Sequence, residues 1–179
     1  MDKIKFIKRL FSSILIAVFL FSCSSYQIFY TSELNKYLEP NRAYNYISSF
    51  SVRIPKGFFQ VNDNRFYASD IWLVKKNYSE TISVNKINTE KIFDESDVLD
   101  LLIKFRKMNY QQKLKNFNKF TFSIERKKIR GFKYVNNKNR YIFVLLYKVG
   151  KNFFEIVYTK NNDTFSSIPL AVINSLKLS

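Results

Sequence analysis

Tyr141-Ile142-Phe143-Val144-Leu145-Leu146-Tyr147-Lys148-Val149-Gly150-Lys151-Asn152-Phe153-Phe154-Glu155-Ile156-Val157-Tyr158 is the stretch that decides the fold. Tyr141 to Val149 is a near-continuous apolar run, the pattern of a central strand covered on both faces. Gly150-Lys151 follows as a tight turn with glycine first, the type II′ preference, and leads into a second strand from Phe153 to Tyr158. The neighbouring segments must therefore supply the layers that cover this hairpin.

Downstream, Ile168, Val172, Ile173 and Leu176 fall on one face of a closing helix. Ser166 is placed to cap it, and Pro169 then sits in the first turn, where its missing N–H costs little. Upstream, Phe120, Phe122 and Ile124 are spaced by two, Ile129 to Val135 forms a further strand, and Asn136-Asn137-Lys138-Asn139 is a turn. Before these strands the period changes. Val98, Leu101, Leu102, Phe105 and Met108 recur at three and four residues and predict one buried face of a helix. Asp94, Glu95, Asp97 and Asp100 crowd its start, while Lys104, Arg106 and Lys107 gather at its end. Both groups favour the helix dipole, by about 0.3–1 kcal/mol per charge.

Further back, Phe50, Val52 and Ile54 alternate with Ser51 and Arg53 as in a half-buried strand. Pro55-Lys56-Gly57 turns the chain into Phe58 and Phe59. Asp70 to Lys76 and Thr81 to Ile87 read as two more strands joined through Asn77 to Glu80, and Ser32 to Leu38 as a helical turn ended by Pro40. The order predicts an α+β domain, an antiparallel sheet of about six to eight strands with two packing helices.

That order resembles the PsbP-like (Mog/PsbP) fold of photosystem extrinsic subunits and small bacterial lipoproteins. The residues carrying the resemblance are Phe50 to Phe59, with Ile54-Pro55 and Gly57 before an aromatic, the helix Val98 to Met108, and Asn174-Ser175-Leu176-Lys177 after the final helix. Phe59 stands where a tryptophan is common in the family. The resemblance covers residues 47–179 and implies an α/β/α sandwich acting as an accessory or assembly factor that binds protein partners; no catalytic motif transfers. A cystatin- or NTF2-like sheet is the rival, but its long helix would precede most of the strands.

The beginning of the chain has the parts of an export signal. Lys3, Lys5, Lys8 and Arg9 precede an apolar run from Leu10 to Phe21 that is short for a membrane span. Leu20-Phe21-Ser22-Cys23 resembles the lipobox of bacterial lipoproteins, with Phe21 in place of the preferred small residue. The resemblance implies that Cys23, the single cysteine, becomes the first mature residue and carries the acyl chains (palmitate among them) that anchor it in the bilayer. Two or more chains hold a protein stably on a membrane. By resemblance to the sorting rules of two-membrane bacteria, Ser24 rather than an acidic residue after Cys23 implies the outer membrane, and the lack of an acidic cluster just after Cys23 favours a domain facing the periplasm. The expected division is residues 1–22 as signal peptide, 23–46 as tether and lead-in, and 47–179 as a single α+β domain.

What the composition lacks narrows the function. The chain has no histidine and one cysteine, which removes His-dependent triads, Cys–His nucleophiles, ordinary zinc sites and disulfides. Glycines at 57, 131 and 150 are too dispersed for a phosphate loop. Asp94, Glu95, Asp97 and Asp100 lack the loop glycine and terminal glutamate of a calcium hand, so they read as a solvated helix start. The expectation is a non-enzymatic domain with no metal and no cofactor.

Charge is concentrated. Residues 104–140 hold 13 basic side chains and one acidic one. Within that segment Arg126, Lys127, Lys128, Arg130 and Lys133 alternate with Ile129, Phe132 and Tyr134, a candidate basic binding surface. An export signal argues against nucleic acid. An envelope protein partner is the first expectation. The second is anionic lipid headgroups, worth about 1 kcal/mol for each well-placed Lys or Arg. A small-molecule carrier with an apolar cavity is a third. Exposed lysines on strands also serve simply as edge protection.

Overall fold

The computed structural model describes residues 27–61, 70–89, 93–109 and 114–178. The signal peptide, Cys23 and residues 24–26 of the expected tether lie outside the described residues.

Eight strands form the main sheet. They are β1 (Gln27–Phe29), β4 (Phe58–Gln60), β5 (Ile71–Lys75), β6 (Thr81–Ile87), β7 (Lys115–Ile124), β8 (Lys127–Val135), β9 (Tyr141–Val149) and β10 (Asn152–Lys160), in the spatial order β1-β7-β8-β9-β10-β6-β5-β4. β1 runs parallel to β7, and every other pairing in this sheet is antiparallel. The β9–β10 hairpin occupies the centre, in register from Val149 opposite Asn152 to Tyr141 opposite Lys160. Its turn has Gly150 at φ +60° and Lys151 outside the positive-φ region, as a type II′ turn requires.

The alternation along β9 feeds two cores. Ile142, Val144 and Leu146, with Phe153 of β10, face α2 (Glu95–Asn109), which buries Val98, Leu99 and Ile103 against them. Phe143, Leu145 and Tyr147, with Phe154, Ile156 and Tyr158, face the other way. There they meet α1 (Thr31–Asn35), α3 (Ile168–Asn174) and a small sheet of β2 (Leu38–Asn45), β3 (Phe50–Pro55) and β11 (Lys177–Leu178), ordered β11-β3-β2. α3 lies inside this layer with Pro169, Leu170, Ala171, Val172 and Ile173 all buried. Of these, Leu170, Val172 and Ile173 are each worth about 1.5–3 kcal/mol when so buried. The N-cap is Ser167, one residue after the expected Ser166, and its side chain makes no capping bond; the Ser166 hydroxyl instead accepts a 3.2 Å bond from the Ile168 N–H just ahead of the helix. The α+β sandwich is therefore present, with α1 and the small sheet added to it.

Two expectations change. The domain boundary at 47 falls too late, because Phe29, Leu34, Leu38 and Ala43 are core residues. Arg42 further ties β2 to the far end of the chain, its Nη2 donating to the Ser175 carbonyl at 2.7 Å. The signal was faint because β1 has three residues and Pro40 interrupts β2 at a register shift between Leu38 and Arg42.

The second change concerns α2. Its sheet-facing side is Val98, Leu99 and Ile103, at 4%, 6% and 6% exposed. Of the predicted stripe, Leu101, Phe105 and Met108 are instead 54%, 57% and 67% exposed. The helix carries two apolar stripes, and the sheet covers one of them.

Candidate functional site

The β7–β8 hairpin bears the candidate basic residues. Its turn, Glu125-Arg126, is fixed by Glu125 at φ +53° and by the Glu125 N–H donating to the Phe29 carbonyl at 2.9 Å. Because strand residues alternate in direction, β8 divides its cations between two faces. Phe132 and Tyr134 belong to the core under α2, whereas Ile129 belongs to the opposite core. Lys128 and Arg130 therefore share the α2 face, and Lys127 and Lys133 the other. Lys127 Nζ lies 5.9 Å from the centre of the Tyr147 ring, and Lys133 Nζ pairs with Asp163 Oδ1 at 2.6 Å. Arg126, Lys127 and Lys128 stay together as an exposed tip; Arg130 and Lys133 are half-buried and point apart.

On the α2 face the basic strand meets the acidic helix start. Asp94 is held below the usual carboxylate range, first by hydrogen bonds from Ser96 Oγ at 2.8 Å and the Glu95 N–H at 2.7 Å, then by the charges of Arg130 and Lys148. Glu95 is displaced upwards by burial, against the pull of Arg130 and Lys128. Beyond them Lys119 Nζ reaches Asp100 Oδ1 at 2.9 Å, an exposed pair worth little to stability. Acidic and basic groups 19 to 54 residues apart in sequence thus partly neutralise each other in space. The excess charge of segment 104–140 is not presented as one open surface.

The outer side of α2 is of a different kind. Leu101, Phe105 and Met108, with Ile87 and Phe93, line a groove of about 400 Å³ that also takes in Lys104. Sequence periodicity marked Leu101, Phe105 and Met108 as apolar but assigned them to the core. The available clue was that Leu99 and Ile103 form a second stripe one residue round the helix, with Val98 and Leu102 shared at the boundary.

Among the described residues, groups suited to catalysis do not assemble. One Ser-x-x-Lys spacing, Ser83 to Lys86, occurs in β6, where a separation of three places the side chains on opposite faces. Lys86 Nζ donates to the Ser48 carbonyl at 3.2 Å. Among the described residues no three His, Cys, Asp or Glu side chains group as metal ligands. Glu80 is the centre of a polar cluster instead. It accepts from Lys75 Nζ and from Tyr158 Oη, and Lys160 Nζ, bonded to the Thr164 carbonyl at 2.8 Å, lies 5.7 Å from the Tyr158 ring. With a buried phenol at its core, this cluster reads as a structural cross-tie between β5, β6 and β10. Among the described residues no helix is long and apolar enough to cross a membrane.

No protein-family profile matches the chain, and no curated protein matches it. Among solved structures it is similar to the solution structure of cyanobacterial PsbP (CyanoP) from Synechocystis sp. PCC 6803. The TM-score is 0.53 at 16% identity, over 78% of this chain and 92% of that one. At that identity the likeness speaks for the fold, and the fold is PsbP-like.

Proposed function

We propose that this chain is a membrane-anchored envelope lipoprotein, a non-enzymatic accessory or assembly factor that binds a protein partner through the outer face of α2. The observation carrying this reading is the exposed stripe Leu101, Phe105 and Met108. A helix that only had to cover a sheet would need one apolar stripe and would turn a polar face to water. α2 has a second one, with a phenylalanine and a methionine, residue types favoured where proteins meet. Lys104 within the groove and Lys107 beside it complement an acidic rim on the partner. Acylated Cys23 would keep this face close to the bilayer. The PsbP-like fold and the lack of histidine support an accessory role over an enzymatic one.

The test is crosslinking in intact cells with the full chain, read by mass spectrometry. A discrete partner should be captured by the parent and lost in a Leu101→Ser, Phe105→Ser, Met108→Ser variant. Fatty-acid labelling should persist in that variant and disappear in Cys23→Ala. Equal capture by parent and triple variant would refute the α2 face as the docking surface.

A second reading, an anionic-lipid surface, rests on the exposed tip Arg126, Lys127 and Lys128. It predicts salt-sensitive binding to anionic liposomes that charge reversal of these three residues removes.

A further inference from the structure

A separate cleft of about 470 Å³ lies on the α2 side of the main sheet, at the β8–β9 turn. Its floor is the Tyr134, Ile142 and Val157 side of the strands. Arg106, from the last turn of α2, forms a wall and is held by Glu155 Oε1 at 2.7 Å. The rim is the Asn136–Arg140 turn, whose shape is set internally. Asn136 Oδ1 accepts from the backbone N–H groups of Lys138 and Arg140, each at 3.0 Å, and Asn139 takes φ +55°. The turn thereby delivers Lys138 and Arg140 to the mouth of the cleft.

Arg140 is the informative residue. Its Nη2 donates to the Ser79 carbonyl at 2.8 Å, which fixes the guanidinium, while its Nε is buried without a hydrogen-bond partner among the described residues. Among the described residues neither Arg140 nor Lys138 has a carboxylate within ion-pair distance, so Glu155 answers one of the three positive charges and two remain. Three cations from two elements converge on a polar-rimmed, apolar-floored space of ligand size.

The geometry points to a binding site for a small organic phosphate. Two unanswered charges match a phosphomonoester, which carries about −1.5 to −2 at neutral pH. Guanidinium forks suit its oxygens. Ile142 and Val157 would receive the organic portion. The site is distinct from the outer face of α2, so its fate does not depend on the partner-binding proposal. Its phosphate could belong to a free compound or to a lipid headgroup.

The test uses the full chain in non-ionic detergent, with the arginine Nε–H resonances followed by NMR. Glycerol 3-phosphate should shift the Arg140 signal saturably, and inorganic phosphate should do so at least several-fold more weakly. Lys138→Gln, at a side chain with no hydrogen bond or ion pair among the described residues, should weaken glycerol 3-phosphate binding several-fold; Arg140→Gln should weaken it at least ten-fold. Flotation with phosphatidylcholine vesicles containing phosphatidic acid separates the sources. Arg140-dependent binding there assigns a lipid headgroup, and binding of the soluble ester alone assigns a free compound. Shifts that do not saturate, or equal affinity in parent and both variants, would overturn the site.

Discussion

The ring of Phe120 lies across Gly131, in the space where a side chain on residue 131 would stand. The two residues are directly opposed in the β7–β8 ladder. A Cβ at position 131 would fall 2.6 and 2.7 Å from Cε2 and Cζ of that ring, and 2.4 Å from the Val144 carbonyl oxygen of β9. Glycine is needed here for close approach. Gly131→Ala is expected to cost about 1–3 kcal/mol, as overpacking of a tight core does. Trimming the ring relieves only part of the clash, because the Val144 carbonyl belongs to the backbone. In urea unfolding, Phe120→Ala, Gly131→Ala should therefore remain less stable than Phe120→Ala alone; equal stability would contradict this account.

The two sides of α2 should respond differently to the same change. Ile103→Ala opens a cavity against the sheet and should cost about 2–5 kcal/mol. Phe105→Ala removes a larger but exposed side chain and should stay within about 0.5 kcal/mol of the parent. Denaturant midpoints of the two variants decide the matter. A larger loss for Phe105→Ala would mean that the helix is rotated from the face described.

The Glu80–Tyr158 bond gives stability two pH limits. Burial opposes the ionised Glu80, but hydrogen bonds from Lys75 and Tyr158, with the charges of Lys75 and Lys160, outweigh it and hold the carboxyl below its ordinary 4.5. The unfolded chain then binds the proton more readily. This contribution is complete above that ordinary value and is lost as pH falls through the folded one. Tyr158 moves the other way: burial first, then the bond and charge of Glu80, push its phenol well above the ordinary 10.0. The folded protein keeps that proton longer, so the contribution is complete below 10.0 and is lost as pH rises through the folded value. Thermal unfolding across pH should show a shallower acid limb in Glu80→Gln and a shallower alkaline limb in Tyr158→Phe. Limbs of unchanged steepness would remove the pair from any role in pH stability.

Much of this architecture is legible in the sequence because local rules are strong where the sheet is central. The β9–β10 hairpin announces itself through one apolar run and one glycine, and the structure places both strands at the middle of the sheet. α2 is legible as a helix, but the choice between its stripes is not. Val98 and Leu102 belong to both, so only the sheet's position breaks the tie. β1 and β2 escape for another reason: their partners, β7 and β3 with α3, are remote or irregular, and a three-residue strand has too few alternations to register.

The basic segment was visible as composition, while its division was implicit in its own period. If Ile129 to Val135 is a strand, then Arg130 and Lys133 must point to opposite faces. What no local pattern could supply is the meeting of Arg130 and Lys128 with Asp94 and Glu95, or of Arg106 with Glu155, forty-nine residues apart in sequence. Those pairings depend on α2 crossing β8 and β9.

The outline of the main sheet also bears on how other chains can attach. Nine-residue strands at its centre give way to three-residue strands, β1 and β4, at its two margins. β1 covers only Phe122 to Ile124 of β7; the rest of that strand carries Lys115 and Lys119 and is kinked by a register shift between Lys115 and Asn118, with Asn116 at φ +52°. Short margins, lysines and an irregular ladder are the devices that deny an incoming strand a template. Recruitment by strand addition, and the runaway polymerisation that such an edge invites, are both disfavoured, which directs a partner away from the backbone and towards side chains.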